Sequence, residues 1–121
     1  DDNLIRASRA LIKMVGCQTL IIKKGENGVV AFHDDEIISL PAYPTENVVD
    51  PTGCGDSFAG TIAAFLASNE GNISRDELRE ALIRATVTAS FTLESFGTSG
   101  LLNLTNDLFN SRLIEFEGIL N

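Results

Sequence analysis

The sequence predicts an α/β fold, in which helices pack on a β-sheet. Two observations favour this class. Apolar residues recur at helical spacing towards both ends of the chain, and short β-branched runs separated by turn residues lie between positions 19 and 40. With 121 residues, 44% of them apolar, the chain is long enough to bury one core and too short for two ordinary domains. We therefore expect one globular domain.

The first third of the chain is predicted to form a helix and then strands. The helix lies between Asn3, a suitable N-cap, and Gly16, a suitable stop. Strands are predicted at residues 19–22, 29–32 and 36–40. The last two strands should form a hairpin around an acidic turn, in which we expect the lone histidine, His33, to be solvated. The first strand, apolar and β-branched, should be buried.

The rest of the chain is predicted to be mainly helical. Residues Ser57–Ala67 are small and apolar almost all round, which is typical of a buried helix. Four small residues should let a neighbour approach it closely: Ala59, Gly60, Ala63 and Ala64. Ser74 and Glu77 form a capping box that starts a helix reaching about Glu94. An amphipathic helix, Asn106 to roughly Glu117, follows.

Composition limits the expected partners. Nine basic residues against 17 acidic ones give a net charge of −8, which argues against a nucleic-acid surface. No apolar run is long enough for a membrane span, so we expect no membrane partner. Two cysteines, Cys17 and Cys54, are too few for a disulfide framework and are typical of a reducing cytoplasm. An anionic substrate would need backbone amides, a helix N-terminus or a metal ion.

The stretch Asp50-Pro51-Thr52-Gly53-Cys54-Gly55-Asp56 stands directly before the predicted buried helix. Its two glycines allow backbone N–H groups to converge at a helix N-terminus, where unpaired donors and the helix dipole attract phosphate. Asp56 would lie beside a phosphoryl group held there. Phosphoryl transfer needs such donors and a base for the attacking hydroxyl. Spacing alone leaves a second interpretation equally open, namely a tight turn whose aspartate caps the helix.

Two common glycine-rich nucleotide motifs are excluded by spacing. The dinucleotide motif G-x-G-x-x-G would need its third glycine at Phe58. The Walker A loop needs a lysine that the sequence does not supply, because Thr61 and Ile62 follow Gly60. A phosphate site in this chain must therefore be of another kind.

Residues 50–60 resemble the D-[TP]-[TV]-G-A-G-D-[ST]-F signature of ribokinase-like (pfkB-type) kinases. Residues 22–28 are similar to that family's strand and G-x-x-G turn, and residues 89–98 to its helix and loop beside the nucleotide base. The resemblance implies a partial Rossmann-like, three-layer fold with helices packed on a mixed β-sheet. It also implies that residues 1–121 are the C-terminal nucleotide-binding part of such a kinase, without its N-terminal substrate-binding half.

The resemblance also implies roles for individual residues. Asp56 would be the catalytic base that accepts the proton of the substrate hydroxyl. The backbone amides of three successive residues would form the anion hole: Gly53, Cys54 and Gly55. Cys54 stands where the family usually has alanine, but only its amide is required. The residues implied to bind the nucleotide are Lys24, Gly25, Gly28 and Gly97. Those implied to hold a monovalent cation such as K⁺ are Asp50 and Thr52.

The implied reaction is transfer of the γ-phosphoryl group of ATP to a hydroxymethyl group of a sugar or nucleoside, with Mg²⁺ bridging the phosphates. Besides this small-molecule substrate, the expected partner is a second copy of the chain or the absent N-terminal half. Two alternatives stay open: a module that binds nucleotide without catalysis, and a fragment that self-associates through exposed apolar surface. We expect the isolated chain to lack turnover.

Overall fold

The chain forms two compact units, Asp1–Ala42 and Tyr43–Asn121. The computed structural model describes residues 2–45, 48, 54–68, 73–94 and 99–121. The division falls inside the proline-containing connection that follows the predicted strands. Helices and a β-sheet are both present, so the predicted α/β class is confirmed.

The first unit contains one α-helix and a three-stranded sheet. Its elements are α1 (Asp2–Val15), β1 (Thr19–Lys23), β2 (Val29–His33) and β3 (Glu36–Leu40). Helix α1 ends as predicted at Gly16, which has a φ of 71° and donates its N–H to the Ile12 carbonyl at 2.8 Å. The helix already begins at Asp2, so Asn3 lies in its first turn and is not the N-cap.

The sheet has the order β1-β2-β3, and both pairings are antiparallel. Within the described residues it is therefore not the predicted mixed sheet. Only short turns connect the successive strands, and parallel neighbours would need a long crossover. Strand β2 is buried along its whole length because it lies in the centre, whereas β1 is an edge strand and only half-buried. The prediction that β1 is buried was wrong for this reason.

The prediction for His33 was also wrong. The side chain ends β2 and is buried, with 6% of its surface exposed. Antiparallel pairing places it opposite Thr19, and the Thr19 Oγ1 and His33 Nδ1 atoms lie 2.7 Å apart. The acidic turn itself was predicted correctly and begins at Asp34, whose φ is 53°. The hairpin ladder thus includes one residue more than the apolar pattern indicates.

The second unit is helical in its described part. Its elements are α2 (Cys54–Ser68), α3 (Arg75–Leu93), α4 (Ser99–Leu102) and α5 (Asn106–Leu120). Helix α3 lies at the centre and packs against the other three. Its predicted capping box is confirmed, because Ser74 Oγ accepts from the Glu77 N–H at 3.2 Å and Glu77 Oε1 accepts from the Ser74 N–H at 3.1 Å. No helix in the described ranges has the length and apolarity to cross a membrane.

Helix α2 is less buried than its composition predicts. One side packs against α3 through the buried side chains of Phe58 and Ile62. The residues expected to touch a neighbour are exposed: Ala59, Gly60, Ala63 and Ala64. The expectation of all-round burial is wrong for this chain because, in the described part of this unit, α3 is the main element that covers α2.

Candidate functional site

The first turn of α2 carries the central residues of the predicted site. The helix begins at Cys54, so the amides of Cys54, Gly55 and Asp56 belong to the turn in which backbone N–H groups lack an acceptor within the helix. Gly55 and Asp56 are exposed. The positive end of a 15-residue helix dipole lies at the same point. Geometrically, this turn can receive an anion from solvent.

Cys54 connects this turn to α3. Its half-buried thiol donates to the Ala89 carbonyl, with a sulfur–oxygen distance of 3.6 Å. The hydroxyl of Ser57 donates to the Cys54 carbonyl at 3.0 Å. The thiol is therefore directed towards α3, which explains how a cysteine is accommodated where alanine is usual in the family it resembles.

Asp56 lies in the first turn of α2 with an exposed side chain. A carboxylate in this position interacts favourably with the helix dipole, and it is accessible to a hydroxyl group of a substrate. The predicted residues Asp50, Thr52 and Gly53 lie outside the described residues, as does Gly97. Their assigned roles stay predictions.

The second candidate region is the turn between β1 and β2. Lys24 donates its N–H to the Gly28 carbonyl at 2.7 Å, and the Gly28 N–H donates to the Gly25 carbonyl at 3.2 Å. Both glycines have positive φ, 57° at Gly25 and 90° at Gly28. The side chain of Lys24 and the backbone of Gly25 are exposed, whereas Gly28 is buried.

The two glycines differ in what a side chain would meet. A Cβ on Gly28 would lie 2.1 Å from the Leu40 carbonyl oxygen and 2.9 Å from Pro41 Cα, both backbone atoms. A Cβ on Gly25 would have nothing within 4 Å. The chain itself therefore requires glycine at position 28, while the space beside Gly25 is open to a ligand.

A polar cluster that the sequence did not predict lies in the second unit. Arg112 on α5 forms an ion pair with Glu94, and Tyr43 donates its hydroxyl to Glu115 Oε1 at 2.8 Å. Burial and the hydrogen bond to Glu115 raise the pKa of Tyr43 above its ordinary value of 10.0. No local motif indicates this cluster, because its members come from distant parts of the chain.

Groups of side chains that could bind a metal ion are absent from the described residues. In the parts of the chain that the structure describes, no three side chains of His, Cys, Asp or Glu lie together as a metal-binding group. The first turn of α2 combines backbone amides with one exposed acidic residue, Asp56.

Comparison with known proteins shows which family the sequence matches. A family model described as "pfkB family carbohydrate kinase" matches residues 1–104. The ribokinase of Mus musculus is 38% identical over 96 residues, which cover 77% of this chain and 28% of the mouse protein. The nucleoside kinase of Methanocaldococcus jannaschii is 34% identical over 79 residues, 64% of this chain and 24% of that protein.

The fold of this chain is similar to one part of a longer protein of known structure. The aminoimidazole riboside kinase of Salmonella enterica, in complex with aminoimidazole riboside and an ATP analogue, matches with a TM-score of 0.72 and 28% identity. The match covers 89% of this chain and 35% of the Salmonella protein. The chain thus spans about a quarter to a third of the length of these relatives.

Proposed function

Because the chain belongs to the pfkB carbohydrate kinase family, we propose that it is the nucleotide-binding, C-terminal part of a kinase that phosphorylates a hydroxymethyl group of a sugar or nucleoside. The observation that carries the proposal is the exposed first turn of α2, with Cys54, Gly55 and Asp56 at the positive end of the helix dipole. Relatives named as ribokinase and nucleoside kinases support an acceptor of this class.

In the proposed reaction, the amides of Gly53, Cys54 and Gly55 donate hydrogen bonds to oxygens of the γ-phosphoryl group. Asp56 accepts the proton of the acceptor hydroxyl as its oxygen attacks the γ-phosphorus. The bond between this phosphorus and the β,γ-bridging oxygen breaks, ADP leaves, and the proton stays on the carboxylate until solvent removes it. In this reaction the chain positions the γ-phosphoryl group and supplies fixed hydrogen-bond donors to it. Positioning and electrostatic stabilisation are the main contributions of a protein to phosphoryl transfer.

In the second unit, the first turn of α2 is the proposed place of the phosphates, because Gly55 and Asp56 are exposed there. In the first unit, the space beside Gly25 is open, as a nucleotide contact would need. Lys24, Gly25, Gly28 and Gly97 are the proposed nucleotide contacts. Mg²⁺ neutralises phosphate charge when it is bound with ATP, and phosphate oxygens and water supply most of its ligands in such sites. Asp50 and Thr52 are proposed to hold a monovalent cation, K⁺.

In the longer protein, the three strands of the first unit would extend into a mixed sheet within a three-layer, Rossmann-like fold. The N-terminal substrate-binding half would belong to the part of the relatives that this chain does not span. A cytoplasmic location is proposed because Cys17 and Cys54 are both free thiols.

The nucleotide site is tested by calorimetric titration of the chain with Mg·ATP. Gly55→Val places a branched side chain at the exposed first turn of α2, and we expect it to abolish binding. Gly60→Val is the matched control, because it lies further along the same helix and a Cβ there meets nothing within 4 Å. Equal affinity of the two variants would contradict the proposed site. We expect no turnover by the chain alone, since it spans only part of its relatives.

A second candidate function is association through α2. Ala59, Gly60, Ala63 and Ala64 form an exposed, uncharged face in the apolar middle of α2. We infer that the absent half, or a second copy, covers this face. Sedimentation of the chain at increasing concentration tests the second possibility. A monomer at all concentrations would argue for the absent half.

A further inference from the structure

Arg112 on α5 is enclosed by partners on several sides. Its guanidinium carbon lies 3.8 Å from the centre of the Phe91 ring and 4.8 Å from that of Tyr43. One of its amino groups, Nη2, lies 2.9 Å from Glu94 Oε1, and the other, Nη1, donates to Ser90 Oγ at 3.0 Å. Only 19% of the Arg112 side chain is exposed, and 22% of the Glu94 side chain. These contacts fix the orientation of the guanidinium group.

Glu94 joins this arginine to another part of the chain. While Oε1 accepts from Arg112, the second oxygen, Oε2, accepts from the Thr45 hydroxyl at 2.6 Å. Hydrogen bonds to a charged carboxylate are stronger than those between neutral groups. Glu94 therefore bonds simultaneously to α5 and to the segment at Thr45.

Tyr43 provides further contacts that hold the segment containing Thr45. Its hydroxyl donates to Glu115 on α5, and its ring lies 5.9 Å from that of Phe116, which is completely buried. Arg112 contacts the Tyr43 ring as a cation over an aromatic face. Three contacts from α5 and one from Glu94, directly after α3, thus hold residues 43–45.

The positions of these anchored residues are informative. Thr45 precedes the stretch 50–56 that leads into the first turn of α2. Glu94 follows the last residue of α3 and precedes residues 95–98, which include Gly97. The family match ends at residue 104, so the arginine comes from a helix beyond the matched residues.

We propose that Arg112 is a positioning residue. It ties residues 43–45, which precede the phosphate-binding first turn of α2 in sequence, to the end of α3. Through Glu94 and Tyr43 it keeps these two segments in one relative placement. The consequence for nucleotide affinity rests on the function proposed above, whereas the tie itself does not. Arginine suits the role because its planar group stacks on rings while it donates several fixed hydrogen bonds, which lysine cannot do.

The tie is tested with Arg112→Gln and Arg112→Lys in the full chain. The matched control is Arg84→Gln, which also removes an arginine–glutamate pair (Arg84 Nε to Glu80 Oε1, 3.0 Å), but one that is half-exposed on α3. Amide hydrogen exchange is followed by mass spectrometry. In Arg112→Gln we expect exchange in residues 43–57 and 90–98 to be about tenfold faster, with residues 58–68 and 78–88 within about twofold of wild type.

Arg112→Lys keeps the positive charge but lacks the planar guanidinium group, so its amide exchange rates in these segments should lie between those of wild type and Arg112→Gln. If Arg112→Gln does not fold, Arg112→Lys is compared with wild type instead. Arg84→Gln should behave as wild type. Unchanged exchange in residues 43–57 would overturn the proposal. So would an equal increase throughout α2, α3 and α5, because that result means a general loss of stability.

Titration of the same variants with Mg·ATP separates this proposal from the proposed function. If wild type binds, we expect the affinity of Arg112→Gln to fall about fivefold or more, since the anion hole and the segment after α3 lose their common anchor. Equal affinity would overturn the positioning role. If wild type does not bind, the proposed nucleotide site fails, and the exchange experiment alone decides whether Arg112 ties the two segments.

Discussion

Gly28→Ala tests whether the turn between β1 and β2 needs glycine for steric reasons within the chain, independently of any ligand. The residue has φ 90° and ψ −148°, a combination that is essentially restricted to glycine. An added Cβ would lie 2.1 Å from the Leu40 carbonyl oxygen, at the end of β3, and 2.9 Å from Pro41 Cα. Neither atom can move without displacing the backbone.

The expected cost has two parts. Backbone strain in this region contributes about 1 to 3 kcal/mol, and the overpacking against Leu40 and Pro41 contributes about 1 to 3 kcal/mol more. Gly28→Ala should therefore lower the free energy of unfolding of the first unit by about 2 to 6 kcal/mol. Gly25→Ala is the control: with φ 57° and open space around a Cβ, it should cost only about 1 to 2 kcal/mol.

The measurement is urea unfolding followed by the amide NMR signal of Ala31, which is completely buried in β2 and reports on the first unit. A separate probe is needed because the chain has two units, and a global signal would average them. If the free energy of unfolding in Gly28→Ala stays within about 1 kcal/mol of wild type, the steric reasoning is refuted. In that case glycine at position 28 would need a ligand-based explanation.

Two further predictions concern charge. Above pH 10, the free energy of unfolding should fall more steeply in wild type than in Tyr43→Phe. The folded state raises the pKa of Tyr43, so its contribution is complete below pH 10.0 and is lost as the pH rises through the higher folded-state value; parallel urea curves for the two proteins would contradict this. Asp56→Asn should leave Mg·ATP affinity unchanged or raise it up to about tenfold, because it removes a negative charge beside the phosphates. A large calorimetric loss of affinity would instead identify Asp56 as a nucleotide ligand.

Features with local causes could be predicted from the sequence. The bounds of β3, Glu36–Leu40, agree with the prediction, because a mainly apolar segment directly after an acidic turn indicates the second strand of a hairpin. The capping box at Ser74 and the helix stop at Gly16 were likewise evident, since each depends on residues within one helical turn. The family was also identified from a local signature, residues 50–60, and the family match confirms it.

Features with non-local causes could not be predicted. The burial of His33 depends on its pairing with Thr19 across the sheet. The exposed face of α2 depends on which elements are present to cover it, and composition alone does not contain that information. Nothing in the local sequence distinguishes Arg112 within the predicted amphipathic helix, because its partners Tyr43 and Glu94 lie far away in sequence. The roles of all the predicted site residues stay predictions, and four of these residues lie outside the described ones: Asp50, Thr52, Gly53 and Gly97.

If the first turn of α2 receives the phosphates of ATP, its backbone amides must form hydrogen bonds to phosphate oxygens when the nucleotide binds. The most direct test follows the backbone amide NMR signals of Cys54, Gly55 and Asp56 during titration with Mg·ATP and, separately, with adenosine, which has no phosphate. We expect large shifts of these signals with Mg·ATP and small ones with adenosine, because hydrogen bonds from the amides to phosphate oxygens form only with the nucleotide. Saturable binding of Mg·ATP that leaves these signals in place would mean that the phosphates bind elsewhere.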